Sequence, residues 1–384
     1  MTAMLASARG PRTGVIGKLR RLNWWIITSL TVLALIGVAM HTSVSSGDAT
    51  ALKPLTHGLR YAALLFIAIA VALFVPPRSW YLIAYPLYAT TMLLLIGVEL
   101  VGETRMGATR WLAVGPVSLQ PSEIMKVAIV LALARYYEDL KPGRAVTLLW
   151  SIPALFLIGA PVALVMHQPD LGTATLIAMA GLAVMFLAGL RWRYIIVAMG
   201  VAAASAVGAY YFALHDYQRA RINVFLGLAD DPLGEGYHVL QSKIAIGSAG
   251  LTGAGWRQGS QSQGDFLPEK DTDFIFTMIV EEFGFLGGFV VVAIFAFLLW
   301  KAVEVATRAR TMFGALASAG VAATLSCYVL INTAMVTGLV PVVGIPLPLI
   351  SYGGTAMVTI MAGFAIVLSI DLHRDQTGAR GILW

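Results

Sequence analysis

Apolar runs of about eighteen residues or more recur along the chain, each long enough as a helix to cross a hydrocarbon core about 30 Å thick. Ten such spans are predicted, at 22–41, 58–75, 79–98, 119–136, 147–166, 172–189, 193–213, 275–300, 311–335 and 351–371. Composition agrees: 58% of the 384 residues are hydrophobic and 12% are charged, against roughly 45–50% and 25% in a soluble domain. The expected fold class is an all-α polytopic membrane protein of about ten transmembrane helices. One long extracytoplasmic loop, 214–274, separates the seventh from the eighth. Residues 1–21 and 372–384 are read as cytoplasmic tails around a membrane domain at 22–371.

A net charge of +6 invites nucleic acid as a partner, but its distribution points elsewhere. With the N-terminus placed inside, 16 of the 26 Lys and Arg residues lie on the cytoplasmic side, against 5 of the 20 acidic residues. That is the positive-inside asymmetry of a membrane protein. No nucleic acid is implied, and both termini are expected in the cytoplasm. The basic N-terminal stretch lacks a short apolar core followed by a small-residue cleavage site, so it is not read as a signal peptide. The single cysteine, Cys327, falls within the ninth span. It excludes intrachain disulfides and cysteine metal clusters and reads as a packed apolar residue.

Most connections are short, as between adjacent antiparallel helices. Three are not: 99–118, 214–274 and the Pro- and Gly-rich 336–350, which cannot be helical throughout. All three fall on the predicted outer side with most of the acids, which places the chemistry on the extracytoplasmic face. Within the long loop, 237–251 has apolar residues at helical spacing and is expected to lie along the membrane surface.

Four constellations could carry chemistry. In the first, Pro121 suits a first helical turn, and Glu123 and Lys126 share one helical face three residues apart. They are either a structural ion pair or a polar wall of a substrate cavity, and ionisable residues at membrane depth lean to the second. Just before them, Arg110 and Trp111 could hold a phosphate and a ring, or Arg110 could anchor to headgroups. The second is Arg219 and Arg221 in YQRAR, against the prevailing charge bias. They suit an anion such as phosphate, or acidic lipid.

The third is KDTDFIFTMIVEEFG, 270–284. Asp273 stands where water ends, so it is either the helix N-cap, a role Thr272 could take instead, or a general base strengthened by partial desolvation. Asp271 reads as solvated, and one of Glu281 and Glu282 is expected to line a cavity or meet a polar neighbour. The fourth is 332–355, whose broken backbone at membrane depth needs protein or a water-filled cavity beside it. Asp170, in HQPDLGTA, is expected to cap the sixth span.

Together these segments resemble the SEDS family, the membrane glycosyltransferases of shape, elongation, division and sporulation. The carriers are RWLxxGxxxxQPSE at Arg110–Glu123, PExxTDFIF at Pro268–Phe276 and NxxxxxGLxPxxGxPLPLISYGG at Asn332–Gly354. HDYQRARI at 215–222, DPLGEGYHVLQSKIAIGSAGL at 231–251 and Pro346 look like the elongation-type members. The resemblance implies a peptidoglycan glycosyltransferase that polymerises lipid II, with Asp273 as the essential catalytic residue. Glu123, Lys126 and Arg221 would line the substrate cavity, with Arg110, Arg219 and Trp111 as further substrate-binding candidates.

The implied reaction is inverting: Asp273 deprotonates the acceptor sugar's hydroxyl, and undecaprenyl pyrophosphate leaves. No tightly bound cofactor is expected. A divalent cation, Mg or Mn, is the one ion left open, with Asp271 and Asp273 as candidate ligands. Asp271 departs from the family pattern, and it either makes Asp273 more basic or helps hold that cation. The implied partners are lipid II, the membrane and a class B penicillin-binding protein of the elongation machinery, in a bacterial cytoplasmic membrane. A lipid II flippase, or a scaffold that activates that penicillin-binding protein, is the rival reading.

Overall fold

The computed structural model describes residues 14–44, 52–105, 108–114, 117–141, 148–212, 216–225, 228, 235–264, 266–267 and 269–378. A short helix, α1 (Val15–Arg20), leads into α2 (Trp24–Val44), α3 (Lys53–Phe74) and α4 (Pro77–Val101). Strands β1 (Glu103–Arg105), β2 (Ala108–Val114) and β3 (Val117–Leu119) follow, then α5 (Pro121–Asp139), α6 (Leu148–His167), α7 (Leu171–Leu187) and α8 (Trp192–Phe212). Three shorter helices, α9 (Asp216–Phe225), α10 (Glu235–Ser248) and α11 (Ser260–Gln263), precede α12 (Ile275–Arg308), α13 (Met312–Val336) and α14 (Gly354–Gly378).

The ten longest helices coincide one for one with the ten predicted spans. Seven are long and apolar enough to cross a membrane by length and composition, and α7 is a shorter apolar helix. The principal shifts are that α3 begins at Lys53 and α12 runs on to Arg308. The polar ends of these helices extend beyond their apolar runs, which hydropathy alone cannot register. Of the expected tails, 1–13 and 379–384 lie outside the described residues.

Two connections are more ordered than the sequence suggests. Segment 99–118 was expected to be irregular, yet it folds into an antiparallel meander of order β1-β2-β3. The 214–274 connection contains α9, α10 and α11. Helix α10, expected along the membrane surface, packs on α12 and α13. Its fully buried Ser242 lies 2.7 Å from Thr277 Oγ1 and donates to Val336 O at 2.7 Å. The Pro- and Gly-rich stretch between Val336 and Gly354 is non-helical, as expected.

Burial sorts the long helices into two shells. In the apolar window of α14, 78% of residues are buried, whereas in α4 only 22% are. Helix α5 carries Glu123, Lys126, Arg135, Glu138 and Asp139, and α4, α7, α13 and α14 pack around it. A charged helix survives at this depth because protein rather than lipid surrounds it.

The long connection is spliced into α12. Gly284 breaks that helix with φ 68° and ψ −167°, which frees backbone groups that residues 250–255 then satisfy. Ala254 N and Gly255 N donate to Glu281 O and Glu282 O at 2.9 and 3.0 Å. Phe285 N and Leu286 N donate to Gly250 O and Leu251 O at 3.0 and 3.1 Å. Both carboxylates of the break are buried. Glu281 accepts the amides of Gln261 and Ser262 at 2.7 and 2.9 Å, and Glu282 accepts Ser43 Oγ at 2.5 Å.

A side chain at Gly284 would meet both a positive φ and the Leu251 carbonyl. Gly284→Ala is expected to cost about 1–3 kcal/mol and to accelerate limited proteolysis within 250–264 in detergent. Unchanged cleavage and melting would show that the splice does not hold this connection.

Candidate active site

The turn that carries Asp273 is held by main-chain carbonyls. Three consecutive carbonyls accept hydrogen bonds from α13 and the stretch after it. Tyr352 N donates to Asp271 O at 2.8 Å, Ser351 Oγ to Thr272 O at 2.6 Å and Asn332 Nδ2 to Asp273 O at 2.8 Å. Asn332 is fully buried and also donates to Ile345 O at 2.7 Å, so one amide clamps the turn to the broken segment. Phe274, not Asp273 or Thr272, takes the N-cap position of α12, and no side chain caps it there. The carboxylate of Asp273 is half-buried, and Gly344 lies beside it: a Cβ on Gly344 would come within 3.4 Å of Oδ2.

This clamp makes Asn332 the support of the site. Asn332→Leu leaves two buried carbonyls without their donor, a loss of about 1–3 kcal/mol each. Activity is expected to fall while the transmembrane helices stay folded, as read by circular dichroism beside a polymerisation assay. Wild-type turnover in that variant would mean that the turn holds its shape without the clamp.

One helical turn away along α13, Tyr328 joins the second constellation. Lys126 Nζ lies 2.7 Å from Glu123 Oε1 and donates to Tyr328 OH. Tyr328 OH donates to Glu123 Oε2 at 3.1 Å, and Thr359 Oγ1 donates to the same oxygen at 2.7 Å. Lys126 is 1% exposed. The pair is thus a closed network joining α5, α13 and α14, and the spacing of Tyr328 and Asn332 sets it beside the Asp273 turn.

Arg110, on β2, is anchored on the turn before α7. It donates to Pro169 O at 2.5 Å and lies 3.7 Å from Asp170 Oδ2. Asp170 caps α7 as expected, accepting Thr173 N at 3.1 Å. That turn abuts the broken segment, because Gly172 sits against Val343 and Ile345, the neighbours of Gly344. Trp111 follows on β2, half-buried. Arg219 lies on α9 and donates to Tyr211 O at 3.1 Å, away from this cluster. Arg221 is on the same helix, and its side chain lies outside the described residues.

Asp271, expected in solvent, is buried and paired with Lys53. Among the described residues no group of three or more His, Cys, Asp or Glu side chains could hold a metal ion. A hard divalent cation takes about six oxygen ligands, so Asp271 and Asp273 do not form a protein cage for one.

Several residues of this neighbourhood escape a reading by motif: Lys53, His57 and Arg60 on α3, His41 on α2, and Tyr328 and Thr359. The first three stand at i, i+4 and i+7, one face of a helix. Placing that span at 58–75 left Lys53 and His57 outside the helix, which hid the stripe.

Residues 20–376 match the family model of the FtsW, RodA and SpoVE cell cycle proteins. The chain is 47% identical over 303 residues to the peptidoglycan glycosyltransferase MrdB of Escherichia coli strain K12, covering 79% of this chain and 81% of that one. It is 38% identical over 334 residues to the MrdB of Helicobacter pylori, covering 85% of each. A chain solved in a peptidoglycan synthase complex superposes with a TM-score of 0.78 at 29% identity, over 92% of this chain and 99% of that one. The crystal structure of the rod shape determining protein RodA of Thermus thermophilus gives 0.69 at 25% identity, over 92% and 97%. With its motifs, its helices and nearly its whole length in register with these proteins, the chain belongs to the FtsW, RodA and SpoVE family of cell cycle proteins.

Proposed function

We infer that this chain is a peptidoglycan glycosyltransferase of cell elongation that polymerises lipid II into glycan strands. The observation that carries the reading is the half-buried Asp273 carboxylate on a turn whose three successive carbonyls are pinned. A base held that rigidly at the edge of the bilayer needs little reorganisation to meet a sugar hydroxyl.

In the reaction, Asp273 takes the proton of the acceptor GlcNAc C4 hydroxyl. Its oxygen bonds to the anomeric carbon of the donor MurNAc with inversion. The carbon–oxygen bond to phosphate breaks, and its electron pair leaves with undecaprenyl pyrophosphate. Arg110, Lys126 and Arg221 add positive potential where that charge develops, and Trp111 and Arg219 contribute to substrate binding. The site faces the extracytoplasmic side, with both termini in the cytoplasm of a bacterial inner membrane. No step is routed through a metal. A class B penicillin-binding protein is the partner, consistent with the likeness to a chain solved in a peptidoglycan synthase complex.

The test gives purified chain, with that partner, labelled lipid II in detergent, where no transport is possible. Glycan polymer supports the enzyme. Its absence would favour a flippase or a scaffold.

A further inference from the structure

The basic stripe on α3 meets the site at Tyr352. Lys53 Nζ lies 5.7 Å from the centroid of that ring and Arg60 Cζ lies 5.4 Å from it, so two cations face one aromatic platform. Tyr352 N donates to Asp271 O, which fixes the platform two residues from Asp273. Below it, His41 packs edge-on at 5.6 Å from Tyr352 and 4.8 Å from His57, whose Nε2 donates to Leu349 O at 2.8 Å. Gly354 leaves the approach open, since even a Cβ there would stand 3.5 Å from Arg60 Nη1.

The cations around the site differ in how their charge is balanced. Glu123 pairs with Lys126, Asp170 lies beside Arg110 and Asp271 pairs with Lys53. Arg60 is exposed, and among the described residues no carboxylate lies within ion-pairing distance of it. It also sits two turns inside a helix long and apolar enough to cross the membrane. An ionised group at that depth needs a counter-charge, and a guanidinium fork fits phosphate oxygens two at a time.

We propose that Arg60, with Lys53 across the Tyr352 ring, binds the diphosphate of the polyprenyl-linked sugar substrate. The subsite rests on the glycosyltransferase reading for the identity of that ligand. It sets the diphosphate against the turn of Asp273, with Asp271 holding Lys53 in place. Arg60 and Lys53 are therefore binding residues, and Tyr352 positions them.

The experiment uses the full chain in detergent and measures binding of fluorescent lipid II and of fluorescent phosphatidylglycerol to wild type, Arg60→Gln and Arg60→Lys. Melting temperatures confirm that each variant is folded. Arg60→Gln is expected to weaken lipid II binding about 10-fold or more, with phosphatidylglycerol binding unchanged. Arg60→Lys should retain part of the affinity. In turnover, KM for lipid II should rise by the same factor while kcat holds, and undecaprenyl pyrophosphate should compete. Equal lipid II affinity in wild type and Arg60→Gln overturns the subsite, and so does an equal loss for phosphatidylglycerol, which marks a headgroup anchor. Arg60-dependent binding without polymer would keep the subsite and defeat the glycosyltransferase reading. Polymer without Arg60 dependence would do the reverse.

Discussion

Asp273→Asn is expected to lower glycan polymerisation by at least about 100-fold, the usual worth of a positioned general base. The amide matches the carboxylate in size but cannot take the hydroxyl proton. The turn is held through main-chain carbonyls at 271, 272 and 273, so the exchange leaves those bonds untouched. Thermal unfolding and lipid II binding should therefore stay near wild type while turnover collapses. Asp273→Glu keeps the charge but pushes it one methylene further, toward Gly344, and should recover only part of the rate. Near-normal polymer from purified Asp273→Asn would remove the base from the mechanism. A loss of lipid II binding equal to the loss of rate would instead make the residue a ligand of the substrate.

The second large effect lies in the Glu123–Lys126 network. Lys126→Met strands a buried carboxylate that still accepts from Tyr328 and Thr359. Breaking a buried pair in this way costs about 3–5 kcal/mol, a large fraction of a membrane protein's margin. The double variant Glu123→Gln/Lys126→Met removes both charges and is expected to regain most of that stability, as read by chemical unfolding in mixed micelles. Activity separates the two readings of the pair. If it lines the substrate cavity, the double variant stays impaired although it is stable. Full activity in the stable double variant would reduce the pair to a structural tie between α5, α13 and α14.

The helices were the most legible part of this chain. Each transmembrane segment is a local property: a run of apolar side chains long enough for the bilayer satisfies its own backbone and needs no distant partner. Asp170 as the cap of α7 was legible for the same reason, because its acceptor and donor are three residues apart. The motifs around Glu123, Asp273 and Ser351 located the site along the chain. They did not say which roles its members fill.

Those roles depend on distant contacts. The cap reading of Asp273 failed because Asn332, 59 residues away, and the Ser351–Tyr352 backbone fix the turn so that Phe274 stands at the helix start. Asp271 looked solvated because nothing near it in sequence neutralises it. Its partner Lys53 is 218 residues away and meets it only when α3 packs beside the turn. Glu281 and Glu282 likewise read as an awkward pair until the backbone of 250–255 and Ser43 close on them.

The sequence by itself determined the ten helices, the family and the position of the acidic turn, because hydropathy and short motifs are written in neighbouring residues. Only the tertiary structure decided which charges are balanced. A buried carboxylate or guanidinium takes its character from whatever lies within a few ångströms, and here those partners come from other helices. For that reason the stripe of Lys53, His57 and Arg60 became part of the site only once α3 was seen against Tyr352.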